Sequence, residues 1–258
     1  MLQKYFVKSW FYNYSIKQKY RNDQQGIMRR YLRESKQWDE HLKQTQRFIL
    51  NCLKGKVFSK VAVLGSGWLL DVPVVELLNH SQELHLFDAV HPKQVVHKYK
   101  ANKKLVFVKK DLSFGLIHEA TRCKNSKEFM SALATLEPYA QFTGYDWVIS
   151  VNLLNQLDNL LIEFLRSRFS FSQEQEEQIR QIVQDNHINS LPKGKSCLIS
   201  DWTEVSEELT TGVVSEKQLV YSKLLDAEKY QGWDWIFDTH KMYRAKTKTT
   251  FKVRAYKF

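Results

Sequence analysis

Residues 60 to 71 read KVAVLGSGWLLD, and this stretch decides the fold of the chain. A short β-branched apolar run ends at Gly65-Ser66-Gly67, and a helix-compatible run follows from Val72 to Leu78. Glycine suits such a turn because it adopts a positive φ and leaves no Cβ where a ligand approaches the backbone. The helix start beyond the turn offers free N–H groups and a positive dipole end. The order of strand, glycine turn and helix therefore indicates a nucleotide-like ligand.

Two other versions of the glycine motif do not fit this turn. The dinucleotide version has a third glycine, where this chain has Leu70, which counts against NAD or FAD. No Lys-Ser/Thr follows the glycines, which excludes the phosphate-binding P-loop. Because similar turns also join strands to helices with no ligand bound, the interpretation needs support from the rest of the chain.

That support begins with a second predicted strand, Glu83 to Asp88, which ends in a carboxylate about twenty residues beyond the glycines. In α/β sheets this position lies beside the glycine turn, where a carboxylate can accept both hydroxyls of a ribose. The alternative is a loop aspartate that caps the next helix.

Three further strands are predicted along the chain. Leu105 to Val108 leads into Asp111, which can accept from an adenine amino group while the next backbone N–H donates to the ring. The fourth strand is Trp147 to Asn152. The fifth is Ser196 to Asp201, entered from a turn at Pro192 to Lys195. Strands that alternate with helical segments predict a parallel sheet covered by helices.

Together these residues resemble the class I S-adenosylmethionine (SAM) dependent methyltransferases, over roughly residues 57 to 258. The resemblance implies an α/β fold: a Rossmann-like, seven-stranded, mostly parallel sheet with helices on both faces. The last two strands, around Trp235–Phe237 and Thr250–Tyr256, are expected to pair antiparallel at the sheet edge. The segments from Asp71 to Pro73 and from Asp88 to Pro92 resemble a bacterial branch of the family.

The resemblance also implies a set of cofactor contacts. The glycine motif and the ends of the second, third and fourth strands supply them. The expected SAM-binding residues are Gly65, Ser66, Gly67, Asp88, Asp111, Leu112 and Ser150. Two positions depart from the family pattern, since Val63 replaces an acidic residue and Leu69 replaces a third glycine.

Methyl transfer from a sulfonium requires alignment, exclusion of water and sometimes removal of a proton. Asn152 and Asn155-Gln156 follow the fourth strand, and their amides can orient an acceptor by hydrogen bonds; the alternative is polar loop residues that satisfy local backbone. Asp201 follows the fifth strand and can act as a base. Asn152 and Asp201 are the candidate catalytic residues. A metal site from Asp146, Asp201 and Asn152 is conceivable, but their spacing does not require one, and none is expected.

Residues 1–56 are predicted to form a helical extension that caps residues 57–258, the methyltransferase domain. Helices are expected at Gly26–Ser35 and at Gln37–Leu53, the second with a buried face that includes Trp38. His41 is expected at the surface or at a boundary. In this fold such an extension usually lies over the cofactor mouth and shapes the substrate pocket, as the resemblance implies.

Charge is concentrated at the two ends of the chain. Residues 1–60 hold 14 Lys+Arg and 4 Asp+Glu, and residues 241–258 hold 7 Lys+Arg and no acid. Such basic segments can attract nucleic acid. Aromatic side chains near the start could stack on bases, although a packed helix face is favoured: Tyr5, Phe6, Trp10, Phe11, Tyr12 and Tyr14.

The expected location is the cytoplasm. No apolar run approaches the ~20 residues of a membrane span, and the segment from Met1 to Lys8 shows no cleavage signal. The cysteines at 52, 123 and 197 are scattered, which favours reduced thiols.

The sequence thus predicts a SAM-dependent methyltransferase that acts on an unidentified small molecule or protein side chain. Two alternatives stay open: an RNA methyltransferase that uses the basic ends, and a non-catalytic SAM-binding protein. The acceptor atom and the oligomeric state are not predicted.

Overall fold

The computed structural model describes residues 2–136, 142–225 and 229–258, and side chains from residue 18 onward. The helices are α1 (Leu2–Leu53), α2 (Val74–Asn79), α3 (Lys93–Tyr99), α4 (Leu116–Arg122), α5 (Ser126–Ala134), α6 (Asn159–Arg166) and α7 (Gln173–Ser190). The strands are β1 (Phe58–Leu64), β2 (Ser81–Asp88), β3 (Leu105–Lys109), β4 (Trp147–Val151), β5 (Ser196–Glu208), β6 (Val214–Gln218), β7 (Gln231–Asp238) and β8 (Thr247–Lys257).

All the strands belong to one sheet, whose main path runs β3-β2-β1-β4-β5-β8-β7. The first five strands of this path are parallel, and β8 pairs antiparallel with both β5 and β7. The α/β fold, the mostly parallel sheet and the antiparallel pair at the edge are therefore confirmed. Parallel strands require crossovers, and the helices that provide them cover the two faces.

An eighth strand, β6, lies off this path, in a part of the chain for which the sequence predicts no strand. β5 does not end at Asp201 but continues to Glu208, with a register irregularity between Asp201 and Thr203. Its extension pairs with the exposed strand β6. β6 lacks a buried face, so the hydrophobic pattern used to recognise strands is absent from it.

Each face of the sheet carries its own hydrophobic core. On one face α4 to α7 pack against a cluster that includes Leu64, Phe129 and Val148. On the other face α1 and α2 pack against a cluster that includes Val63, Leu77 and Ile149. Neighbouring residues such as Val63 and Leu64 thus enter different cores, as expected for strands buried on both sides.

The amino-terminal extension is one continuous helix, and the prediction of separate helices at Gly26–Ser35 and Gln37–Leu53 is wrong. Gly26 costs a helix interior only about 1 kcal/mol relative to alanine, so it does not end α1. Packing of the later turns against the sheet compensates for this cost, because tertiary contacts dominate helix stability. α1 is 52 residues long, and residues from Trp38 to Leu53 supply its buried side chains in the core.

The anchor of α1 is an aromatic cluster formed with β7. Trp38 is 1% exposed, stacks on Phe237, meets Trp235 edge-on and donates its indole N–H to the Phe237 carbonyl at 2.9 Å. His41 lies parallel to Trp235 with ring centroids 4.0 Å apart, and it accepts from Trp233 Nε1. His41 is 1% exposed, so its expected place at the surface or a boundary is wrong.

A second anchor of α1 is a buried carboxylate. Glu34 accepts from the backbone N–H groups of Thr239 and His240 and from both of their side chains. Although burial alone raises the pKa of Glu34, these hydrogen bonds lower it to about 2. The helix is therefore fixed to the end of β7 from Glu34 onward.

Within the part of the chain that the structure describes, no helix is long and apolar enough to cross a membrane.

The anchoring of α1 predicts a large effect of Trp38→Ala. Loss of this buried indole should reduce the free energy of unfolding by about 3–5 kcal/mol, as large-to-small core substitutions do. Urea denaturation followed by circular dichroism measures the change. Leu32→Ala is the matched control, because Leu32 lies on the same helix and is 69% exposed. A small effect at Trp38 would show that α1 is not part of the core.

Candidate functional site

The strand order reverses between β1 and β4, which are hydrogen-bonded neighbours in the centre of the sheet. In open α/β sheets, ligands bind in the crevice at such a switch point, beyond the carboxyl ends of the strands. The glycine motif follows β1 and Asn152 follows β4, so both lie at this crevice.

The backbone of the glycine turn is bonded to the neighbouring strand. The N–H groups of Gly65 and Ser66 both donate to the Phe87 carbonyl, at 3.0 and 3.2 Å. The N–H of Gly67 donates to the Asp88 carboxylate at 2.8 Å. Because these three N–H groups are engaged inside the fold, the turn is not a cradle for phosphate oxygens.

Asp88 ends β2 and shapes the rim of the crevice. One carboxylate oxygen accepts from Gly67 N and the other from Val90 N. Burial raises the pKa of Asp88, and these backbone donors and nearby His91 oppose that shift. A carboxylate offers about four acceptor positions, more than these backbone donors use, so it can still accept from a ligand hydroxyl.

The two glycines have different reasons to lack a side chain. At Gly65, where φ is +79°, a Cβ would lie 2.8 Å from the Val151 carbonyl oxygen and 2.9 Å from Leu153 Cβ. At Gly67, where φ is +43°, the nearest atoms belong to the Gln24 side chain, at 3.4 Å and beyond. Gly65 is thus required by the packing of β1 against β4, whereas Gly67 faces α1.

α1 crosses the crevice above the glycine turn. The indole N–H of Trp68 donates to the Gln24 carbonyl at 2.6 Å, and Gln46 Nε2 donates to the Leu70 carbonyl at 3.1 Å. Farther along, Lys19 pairs with Glu163 of α6 at 2.7 Å. The helix therefore lies between the glycine turn and the solvent.

The candidate catalytic residues Asn152 and Asp201 belong to one polar cluster with Asp71 and Asn155. Asn152 Nδ2 donates to Asp71 Oδ2 at 2.6 Å, and Asn155 Nδ2 approaches Asp201 Oδ2 at 3.4 Å. Asp71 follows the glycine turn, and Asn155 lies in the short 3-10 turn after β4. This network joins the residue that follows β4 to the middle of β5, where Asp201 lies.

Two side-chain oxygens of this cluster, Asn152 Oδ1 and Asp201 Oδ1, are buried with no hydrogen-bond partner. Burial raises the pKa of Asp71 to about 6. Burial, together with the charge of Asp71, raises the pKa of Asp201 to about 7. Buried acceptors of this kind favour a ligand with N–H donors or positive charge, because unpartnered polar groups are costly.

Asn152 has a φ of +47°, in the left-handed region that asparagine tolerates better than most residues. Its backbone N–H donates to the Ile199 carbonyl of β5, and its carbonyl accepts from Gln156 Nε2. This geometry turns the Asn152 side chain back toward Asp71. Asn152 therefore takes part in local backbone hydrogen bonds and also contributes its side chain to the polar cluster.

The other expected contacts lie at different depths. Asp111 is exposed and accepts from the backbone and hydroxyl of Ser113, whereas the Leu112 side chain is buried in the core. Ser66 is 2% exposed, and its hydroxyl lies 3.5 Å from His91 Nδ1. Asp111 lies two residues beyond the end of β3, whose last residue, Lys109, is the register partner of Asp88.

Ser150 points away from the crevice. Its hydroxyl lies 2.8 Å from His187 Nε2 in α7, and both side chains are buried. Burial lowers the pKa of His187 to about 4, so this ring is neutral near pH 7. The side chain of Ser150 is used in the contact with α7. If Ser150 contacts the cofactor, as predicted, it does so through its backbone.

Asp146 lies at the opposite end of β4 from Asn152. Its carboxylate accepts from the backbone N–H groups of Ser59 and Lys60, which fixes the start of β1. A metal site that combines Asp146 with Asp201 is therefore ruled out by distance along the strands. Among residues 2–136, 142–225 and 229–258, no group of three His, Cys, Asp or Glu side chains is arranged to hold a metal ion.

Some features of the site were not predicted. Asp71 and Gln24 were not assigned to the site, although Asp71 lies four residues beyond Gly67, a spacing that keeps it near the turn. The contact with Gln24 depends on the path of α1, which no local pattern reveals. The aromatic side chains between Tyr5 and Tyr14 lie outside the described residues.

Several solved structures are similar to this chain. N-methyltransferase NodS from Bradyrhizobium japonicum WM9, in complex with S-adenosyl-L-homocysteine, is 13% identical, with 84% of this chain and 86% of that chain covered and a TM-score of 0.39. The 1,6-didemethyltoxoflavin-N1-methyltransferase of Burkholderia thailandensis is 11% identical, with 91% and 87% covered and a TM-score of 0.40. DhpI in complex with SAH is 10% identical, with 90% and 95% covered and a TM-score of 0.36.

No family model and no curated protein matches the chain. Because the identities and TM-scores of the structural neighbours are low, the fold is assigned from the strand order and register and not from these similarities.

The contacts of Gly65 predict that Gly65→Ala is strongly destabilising. A positive φ and a clash with the Val151 carbonyl should together lower the free energy of unfolding by about 2–4 kcal/mol. The matched control is Gly212→Ala, where φ is +70° and no atom lies within 4 Å of the added Cβ. This control should lose only about 1 kcal/mol from backbone strain. Equal losses in chemical denaturation would contradict the close approach of β1 and β4.

The raised pKa of Asp201 predicts a pH-dependent effect of Asp201→Asn. The folded protein holds the proton more tightly than the unfolded chain does, so the carboxylate destabilises the fold above pH 7 and not below pH 4. Asp201→Asn should therefore stabilise the ligand-free protein by about 1–4 kcal/mol at pH 8, and much less at pH 4.

Thermal unfolding across this pH range measures the effect of Asp201→Asn. Asp234→Asn, at an exposed position of β7, is the control that should show no such trend. A gain that is the same at pH 4 and pH 8 would show that the Asp201 carboxylate is not destabilised by burial.

Proposed function

We propose that this protein is a SAM-dependent methyltransferase whose cofactor lies in the crevice between β1 and β4. The observation that carries the proposal is the pair of buried, unpartnered oxygens, Asn152 Oδ1 and Asp201 Oδ1, beside the Asp71 carboxylate. SAM supplies an electrophilic methyl group on a sulfonium, and it also bears an ammonium group. Its charges match an acidic cluster at this position.

The glycine turn favours SAM over nucleotides that carry phosphate. The N–H groups of Gly65, Ser66 and Gly67 are bonded to β2 and Asp88, so they are not free to bind phosphate oxygens. SAM has no phosphate and does not need them. The remaining lone pairs of Asp88 suit the two ribose hydroxyls, and Asp111 with the Leu112 backbone suits the adenine.

Asp201 is the candidate base of the proposed reaction. A group with a pKa near neutrality serves best as a general base at neutral pH, and the pKa of Asp201 is raised to about 7. Asn155 orients this carboxylate, and Asn152 orients Asp71. We propose that an acceptor with a removable proton binds on the side of Asp201, where its nucleophilic atom can be aligned with the methyl group.

We further propose that residues 1–56 act as a cap on the domain formed by residues 57–258. Gln24 and Trp68 close the crevice above the glycine turn, which would exclude water from the reacting atoms. A closed crevice of this kind favours a small molecule or a single side chain as the acceptor. A long polymer would require more open access.

The alternative of an RNA methyltransferase is weakened by the charges near the carboxyl end. Arg244 pairs with Glu204 at 2.7 Å, Lys252 pairs with Glu216 at 2.6 Å, and Lys248 lies 4.0 Å from Glu207. Lys257 donates to the Cys52 carbonyl, and Arg254 stacks on Trp202 and Tyr230. Much of this basic segment is thus paired with acidic or aromatic side chains of the same protein, which reduces the positive charge that it presents to phosphates.

Salt dependence tests the RNA alternative. An RNA-binding surface with several phosphate contacts should lose affinity steeply between low and physiological salt. Undetectable binding at low salt would exclude this alternative. A protein that binds SAM but methylates no acceptor would instead support the non-catalytic alternative.

The cofactor assignment predicts that the demethylated product S-adenosyl-L-homocysteine binds at one site and that Asp88→Asn weakens it. Loss of charge-assisted hydrogen bonds to the ribose should reduce the binding free energy by about 1–3 kcal/mol. Isothermal titration calorimetry measures the affinity, and Asp234→Asn is the control that should bind as the unmodified protein does. Thermal unfolding of the same samples separates loss of binding from loss of fold.

Two results would count against the assignment. Unchanged affinity in a folded Asp88→Asn protein would remove Asp88 from the ribose site. No binding to the unmodified protein by SAM or by S-adenosyl-L-homocysteine would refute the proposed function as a whole.

A further inference from the structure

A groove lies at the other end of the sheet, where the parallel strands begin. This open groove of about 530 Å³ runs between the end of α1 and the start of β4. Its lining includes Cys52 together with Lys54, Lys195 and Lys257. None of these residues belongs to the crevice described above.

Cys52 meets a second cysteine beneath this groove. Cys197 lies directly opposite Lys257 in the register of β5 and β8, and Lys257 Nζ donates to the Cys52 carbonyl at 3.2 Å. The thiols of Cys52 and Cys197 lie close enough that each changes the pKa of the other. Both cysteines are free, and both belong to the core shared by α1 and the sheet.

The two thiols have different environments. Cys52 lines the groove and is 6% exposed, whereas Cys197 is fully buried. The nearby Cys197 thiol, with the positive charges of Lys257 and Lys54, lowers the pKa of Cys52 against the effect of burial. The nearby Cys52 thiol and burial raise the pKa of Cys197. The thiolate, which is the reactive form, is therefore favoured on the residue that reaches the groove.

We propose that Cys52 and Cys197 form a reversible dithiol–disulfide pair, with Cys52 as the residue that is oxidised first and Cys197 as the residue that resolves it. The oxidant is a hydroperoxide, which is small enough to enter the groove and reach a thiol that is largely covered. This site is separate from the proposed methyltransferase crevice.

The disulfide forms in two steps. The Cys52 thiolate attacks one oxygen of hydrogen peroxide, so that an S–O bond forms as the O–O bond breaks, and the departing hydroxide takes up a proton to become water. The Cys197 thiol then attacks the Cys52 sulfur, so that the S–S bond forms as the S–O bond breaks. The second hydroxide leaves with the Cys197 proton as water. The two thiols lose two electrons, and the peroxide gains them.

Treatment of the folded protein with hydrogen peroxide tests this proposal. Remaining thiols are blocked with an alkylating reagent, and the peptides are analysed by mass spectrometry without reduction. The expected product contains a peptide that links Cys52 to Cys197, while Cys123, buried in the core on the other face, stays alkylatable only after unfolding. Dithiothreitol should remove the link.

Three variants separate the roles of the cysteines. Cys197→Ser should stop the reaction at a sulfenic acid on Cys52, which dimedone traps. Cys52→Ser should slow oxidation of Cys197 by at least about tenfold, because the more acidic thiol is then absent. Cys123→Ser is the matched control and should form the link as the unmodified protein does.

The proposal is overturned if the folded, unmodified protein keeps both thiols under conditions that oxidise the urea-unfolded chain. It is also overturned if Cys52 is oxidised to a sulfinic acid with no link to Cys197. Because both readouts come from the unmodified protein, they do not depend on the folding of any variant.

Discussion

The close approach of the glycine turn to the end of β4 is the constraint on which the site depends. The hydrogen of Gly65 is the only group that fits against the Val151 carbonyl and Leu153, since a Cβ there would be 2.8 Å from that oxygen. This contact closes the switch point of the sheet. It also sets Asn152 beside Asp71, because the residue after Val151 must turn back through a left-handed conformation. The geometry of the acidic cluster is thus a consequence of backbone packing.

The acidic cluster is costly to the fold. Asp71 and Asp201 are both raised in pKa by burial, and the charge of Asp71 adds to the shift at Asp201. Buried carboxylates that are neutralised neither by a cation nor by a full set of donors reduce stability at neutral pH. A cationic ligand would reverse this penalty by supplying charge and N–H donors. This cost is the physical reason for our proposal that the cluster binds a ligand.

Much of the fold could be predicted from the sequence, because the parallel strands are short apolar runs that end at glycine or a carboxylate. The ends of β1, β2 and β3 fall at or near the predicted residues, and Asp88 lies beside the glycine turn as expected. What could not be predicted depends on tertiary contacts. β6 is exposed along its length, so it has no hydrophobic pattern. α1 continues through Gly26 as one helix because its later turns pack against the sheet. Ser150 faces α7 because alternate residues of a buried strand face opposite cores, and a motif does not specify which residue faces the ligand.

The path of α1 limits how the crevice can open. From Glu34 onward the helix is fixed to β7 by the buried carboxylate and by the stacked Trp38. A rigid displacement of the whole helix would break this core, which is far more costly than a local change near Gln24. Between residues 18 and 26, by contrast, no side chain belongs to either hydrophobic core: Lys19 pairs with an exposed glutamate, and Gly26 has no atom within 4 Å of its missing Cβ. Exposed ion pairs contribute about 1 kcal/mol or less. Movement that admits a ligand to Gly67 is therefore cheapest in the turns around Gly26, while the later turns keep the sheet and its acidic cluster in place.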